Sequence, residues 1–168
     1  QRLAQLRATL VIVPDDTEDS AVEAAERASA CGGRVIVGPL QQRRLLRRAF
    51  DAGALPATDP NWLVADPSLW QEGARGIVRL LISSSSSPPG IDVLYRTGPA
   101  SGLISMEGLS RLIAASPATQ LGCGTKGLLV PGREAELCLI EPSTGNTAIV
   151  RTLLHGSEFH GPHGRIIR

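Results

Sequence analysis

Along the first third of the chain, apolar residues fall into short β-branched runs separated by stretches with helical spacing. The run Thr9, Leu10, Val11, Ile12, Val13, closed by Pro14, has no polar alternation and predicts a strand buried on both faces, as in parallel sheets. Asp15, Asp16 and Thr17 then offer N-caps. Residues 20–30 are Ala- and Glu-rich helix material that Gly32 and Gly33 bring to an end. Residues 34–37 predict a second buried strand, broken by Gly38-Pro39. Residues 41–52 predict a helix with Leu45, Leu46, Ala49 and Phe50 along one side, and residues 54–58 a short third strand. Strand, helix, strand, helix, strand with short connections is the rhythm of right-handed βαβ crossovers in a parallel sheet.

The pattern then loosens. Residues 60–73, which hold Trp62 and Trp70, predict a loop, and residues 77–82 fit either a strand or a helical turn. The five serines 83–87, followed by Pro88-Pro89-Gly90, predict an exposed loop with nothing to pack. Residues 105–115 predict a helix capped by Ser105, with Leu109, Leu112 and Ile113 inward. After Pro117, glycines and prolines punctuate short apolar runs. Residues 135–140 and 147–154 predict strands, and His155-Gly156 a turn into a last hairpin. The organisation expected is α/β over 1–118 and β-rich over 119–168.

Composition narrows the function classes. Seventeen Lys and Arg against sixteen Asp and Glu give a net charge of +1, so no global charge bias points to nucleic acid or a membrane surface. A hydrophobic content of 42% suffices for a packed core, while no apolar run approaches the ~18 residues that a membrane span requires. Three cysteines without a CxxC pair oppose a disulfide scaffold or zinc knuckle, and a reducing cytoplasm is the expected setting. The chain opens at Gln1 and closes at Arg168 after the apolar pair Ile166-Ile167, and the expectation is a segment of a longer polypeptide.

Candidate chemistry is sparse. Gly32-Gly33 and Gly122-Cys123-Gly124 lack the spacing of phosphate-binding loops and read as turn glycines. Arg43, Arg44, Arg47 and Arg48 form a basic strip without interleaved aromatics, which reads as a solvated helix face. His155, His160 and His163 cluster near the C-terminus with Glu158. The Gly161-Pro162 break denies them helical spacing, and an exposed hairpin is preferred over a metal site. Asp59 is the sharpest single position, at the C-terminal end of the third predicted strand, where parallel α/β proteins gather ligands and catalytic groups. It is either a metal ligand or general base, or an Asx-turn cap before Pro60.

Several separated elements carry a family resemblance. Ala115-Ser-Pro-Ala118, Leu121-Gly122, Lys126-Gly127 and Val130-Pro-Gly-Arg-Glu-Ala-Glu-Leu-Cys-Leu-Ile-Glu-Pro142 resemble the "NPAk.lGl..kG.l.pG.dADlvl.Dp" block of the amidohydrolase superfamily. The likeness is to its cyclic-amide branch of dihydroorotases, hydantoinases and allantoinases. Val150 to Gly156 is similar to the family's closing "v..tlv.Gr". Upstream, Phe50-Asp-Ala-Gly53 with Ala57-Thr-Asp59 is similar to "l.dG.id.iaTDH", residues 71–78 to "f..a..Gi.Gle", and residues 102–109 to "G.lsle.lv".

The resemblance implies the C-terminal part of a (β/α)8 TIM-type barrel followed by a small β-sandwich segment. A whole barrel needs about 250 residues, and the family's HxH motif and bridging lysine are expected upstream. It implies a dihydroorotase-like hydrolase of cyclic amides with one or two Zn ions. Asp59 is then the proton carrier and a candidate metal ligand, and Gly38 and Gly76 are candidate substrate contacts. The partners implied are a small cyclic amide and either a second copy of the chain or an enzyme of the same pathway, with no nucleic acid and no membrane. The sequence departs from the family at the metal motifs. Pro60 follows Asp59 in place of His, Pro14 falls near the "HvS" histidine, Gly38-Pro-Leu-Gln41 stands for "PPLR", and Arg79 and Leu81 replace the Gly and Glu of "Gi.Gle". Those departures keep open the alternative of a catalytically inactive relative serving as a structural partner.

Overall fold

The computed structural model describes residues 9–141 and 148–160. Four strands, β1 (Thr9–Ile12), β2 (Arg34–Val37), β3 (Leu55–Thr58) and β4 (Leu80–Leu81), form one parallel sheet in sequence order. The register pairs Val11 with Ile36, Ile36 with Leu55, and Ala57 with Leu80, so these residues line one face. Helices α1 (Glu18–Ala30) and α2 (Arg43–Asp51) are the crossovers predicted from the spacing. Thr17 caps α1 by accepting the Ser20 amide at 3.2 Å, and Gly53, at φ 82°, closes the turn after α2. Val22, Val35, Val37, Leu40, Leu45, Leu46, Leu63, Leu69 and Trp70 build the core between helices and sheet. A parallel α/β sheet with sequential strand order is the architecture of part of a (β/α)8 barrel.

Three expectations need correction. β1 is not buried on both faces: Val11 is 52% and Val13 59% exposed, because β1 is the edge strand and nothing among the described residues covers its side of that face. Residues 60–73 are not a loop but two short helices, α3 (Pro60–Ala65) and α4 (Pro67–Ala74). Each begins with an Asp cap followed by Pro at the first helical position, where the missing N–H costs nothing. The third correction concerns the helix from Ser105, which runs past Pro117 to Gln120 as α6 (Met106–Ser110), a π-helical turn (Arg111–Ala115) and α7 (Ser116–Gln120). The wider turn rotates side chains less per residue. Leu109 and Leu112 face the core, but Ile113 is 38% exposed and lines a surface groove with Leu128 and Leu129.

Strands β5 (Leu137–Glu141), β6 (Ala148–Leu154) and β7 (Ser157–His160) form a three-stranded antiparallel meander. His155, at φ 51°, and Gly156 make the predicted turn. Among the described residues no second sheet faces it. Helix α5 (Ile91–Thr97) follows the serine loop and packs Leu94 into the main core.

Candidate functional site

All four parallel strands point the same way, so the segments that follow them share one rim. The chain closes that rim with backbone bonds: Gly38 N–H donates to Ile12 O at 3.0 Å, Leu40 N–H to Ala57 O at 2.8 Å, and Ile82 N–H to Thr58 O at 3.0 Å. Asp59 stands on it as predicted, one residue beyond β3, and is 1% exposed.

The surroundings of Asp59 decide what it can do. Its Oδ1 accepts the Asn61 amide at 2.7 Å and the Asn61 side-chain amide at 3.0 Å. Its Oδ2 accepts both the Ser84 amide and the Ser84 hydroxyl at 2.6 Å. A carboxylate offers about four lone-pair positions, and four donors fill them. Burial pushes the Asp59 carboxyl up, and is the largest single influence. The hydrogen bonds from the Ser84 side chain and backbone and from Asn61 together outweigh it, so the net pKa is lowered and the group is charged at neutral pH. Asp59 is therefore the N-cap of α3 and the anchor of the serine loop at the same time.

The sequence indicated neither Ser84 nor a second rim carboxylate, Glu18. Glu18 accepts the Gln41 amide at 3.1 Å and the Gln42 amide at 3.2 Å, satisfying N–H groups before α2 that no side chain of their own caps. The Asp-Pro pairs at 59–60 and 66–67 were a readable helix-start signal. Ser84 lies 25 residues from Asp59 in a tract of identical serines, and no local pattern marks it.

Gly38 sits on the same rim, at the end of β2. A Cβ there would lie 2.5 Å from Ala57 O, so close strand packing requires glycine at this place. Gly76, at φ 72°, ends the turn after α4 and precedes β4. It thus lies at the opposite end of the sheet, and the structure does not bring it together with Asp59. The arginine strip lies on the exposed side of α2, as expected, and its guanidinium groups are ion-paired there. Glu72, fully buried, accepts Arg43 Nε at 2.9 Å and Arg47 Nη2 at 2.7 Å, with Arg75 Nη1 at 3.4 Å. Arg44 pairs with Asp19 and Arg48 with Glu26.

In the C-terminal region, Glu134, Glu136 and His155 each offer a ligand atom within 4.8 Å of the others. The Lys126 ammonium already occupies that cluster, 2.6 Å from Glu136 and 3.4 Å from Glu134. Glu158, the acidic neighbour expected for the histidines, pairs instead with Arg151 at 3.2 Å. His163 and the side chain of His160 lie outside the described residues.

A zinc ion at the strand rim would need free carboxylate or imidazole ligands. Among the described residues, the rim position singled out by the sequence does not fit it. Asp59 has no lone pair left to offer, and no histidine occurs in the sequence before residue 155.

No protein-family model and no curated protein matches the sequence. Solved structures do match the fold. L-Hydantoinase (dihydropyrimidinase) from Arthrobacter aurescens superposes with a TM-score of 0.74 at 15% identity, over 100% of this chain and 60% of its own. Dihydropyrimidinase from Brevibacillus agri NCHU1002 does so with a TM-score of 0.71 at 16% identity, over 86% and 49%. D-Hydantoinase (dihydropyrimidinase) from Thermus sp. gives 0.71 at 13% identity, over 90% and 50%. At these identities the likeness is one of fold. The chain spans about half to three-fifths of the length of the structures it matches. Among the described residues, no helix is long and apolar enough to cross a membrane.

Proposed function

We propose that this chain is part of a barrel of the cyclic-amidohydrolase type whose rim, over the strands described, is scaffold rather than catalyst: a silent relative that serves as a structural partner. The observation that carries this reading is the saturation of Asp59 by four donors. A proton carrier needs a free oxygen facing the reacting atoms, and both oxygens of Asp59 are committed to α3 and the serine loop. A barrel that loses its ligands keeps its fold, because the chemistry sits on loops that contribute little to the core.

A second reading, hydrolysis of a ring amide, is favoured by the place and charge of Asp59 and by the activity that the names of the matched structures carry. In that reading Ser84 leaves Asp59 when substrate enters beside Gly38, and Asp59 takes up and returns the proton. The discriminating experiment measures bound zinc and the hydrolysis of hydantoin, dihydrouracil and dihydroorotate by the intact protein and by Asp59→Asn. The scaffold reading expects no hydrolysis of any of the three and the same metal content in both forms. Turnover that disappears in Asp59→Asn while the fold survives would establish the hydrolase.

A further inference from the structure

At the end of the sheet opposite Asp59, a cavity of about 230 Å³ opens between α4, the start of β4 and the helix that begins at Met106. Gly76, Arg79, Ser105, Glu107, Arg111 and Ser116 are among its lining. Arg79 is the unusual member. Its backbone N–H donates to Pro56 O at 3.0 Å, and its guanidinium lies 5.5 Å from the centroid of the Phe50 ring. Its Nε is buried and has no acceptor among the described residues. Arg43, Arg47 and Arg75 share Glu72, Arg44 holds Asp19, Arg48 holds Glu26, and Arg111 holds Glu107. Arg79 has no carboxylate in that set. A guanidinium cannot discharge itself by losing a proton, and a desolvated donor without an acceptor is costly.

We propose that this cavity binds a small oxyanion of phosphate size, held by Arg79. The space is small enough to exclude a large organic ligand. The Ser105 and Ser116 hydroxyls on its wall each carry a hydrogen to donate, and a tetrahedral oxyanion can meet donors from several directions. Glu107 does not oppose the anion strongly: its side chain is 80% exposed and held by Arg111 at 2.6 Å, so its charge is directed to solvent and matched. Among the described residues, Arg79 is the arginine of the wall that has no carboxylate partner. The site is independent of the function proposed above, since it shares no residue with the Asp59 rim.

The test uses the intact protein and inorganic phosphate, with sodium chloride at matched ionic strength as control. The Nε–H resonance of Arg79 is followed by nitrogen-15 NMR, alongside the thermal midpoint. The expected result is a saturable shift of the Arg79 signal and a rise in midpoint with phosphate alone. Arg79→Lys, which keeps the charge but loses the planar fork, should weaken binding at least about tenfold, and Arg79→Gln should abolish it. Ser116→Asp, which leaves Arg79 in place and adds a negative charge to the wall, should also weaken it. An Arg79 signal unmoved at saturating phosphate would mean that a water alone satisfies Nε, and would overturn the proposal. Equal responses to phosphate and chloride, or an unchanged response in Arg79→Gln, would overturn it too.

Discussion

Replacing Asp59 by Asn keeps the size of the side chain and removes its charge. Oδ1 can still accept from the Asn61 amide, so the cap of α3 survives in part. The new NH2 group, however, faces the Ser84 amide, donor against donor, where a carboxylate oxygen accepted at 2.6 Å. A hydrogen bond to a charged group contributes about 1.5–3 kcal/mol. The Ser84 hydroxyl can rotate to accept from the new amide, so one such bond is lost outright and another is reduced to its neutral value. The expected loss is roughly 2–4 kcal/mol, measured as a lower urea midpoint with an unchanged slope.

The pH dependence follows from the lowered pKa. The contribution is present in full above the unfolded-state value of about 3.9 and is lost as pH falls through the depressed folded-state value, when both forms become neutral. The difference between wild type and Asp59→Asn should therefore be full at pH 7 and shrink in strong acid. A difference that stays constant between pH 7 and pH 3, or a variant as stable as wild type at pH 7, would refute the argument that a charged, four-donor carboxylate pins the rim.

Two further outcomes follow from the packing. Glu72→Ala leaves Arg43 and Arg47 at the edge of the core without their carboxylate. Because the arginines stay partly exposed and can turn to water, it should cost about 1–2 kcal/mol in chemical denaturation, and because the hydrogen bonds of Arg47 hold Glu72 below the usual carboxylate range, this contribution too fades as the solution is acidified. On the helix after Ser105, Leu112→Ala should cost about 2–5 kcal/mol where Leu112 is 3% exposed. Ile113→Ala, one residue on and beyond the reach of the inner face, should cost under half as much, as urea titration of the pair would show.

The βαβ rhythm over residues 9–58 was legible because each step of it is local. β-branched runs stiffen strands, Thr17 caps α1, and Gly53 takes the positive φ that ends the turn after α2. The same locality explains the turn at His155-Gly156. The Asp-Pro starts of α3 and α4 were equally local, and only the reading of residues 60–73 as loop passed over them. Gly38 was visible as a break, but not as the point where a Cβ would strike Ala57, since that contact joins two strands.

What the amino-acid order determines here is which segments become strands and helices, and that a carboxylate follows the third strand. What only the tertiary structure decides is who meets whom: Ser84 on Asp59, Glu18 on the start of α2, Arg43 and Arg47 on Glu72. The physical reason is range. Caps, turns and periodicity are set by neighbours within a few residues, whereas the state of a buried charge is set by donors brought from 20 to 30 residues away when the sheet assembles. Asp59 was therefore readable as a position, and its role became readable only from the four hydrogens around it.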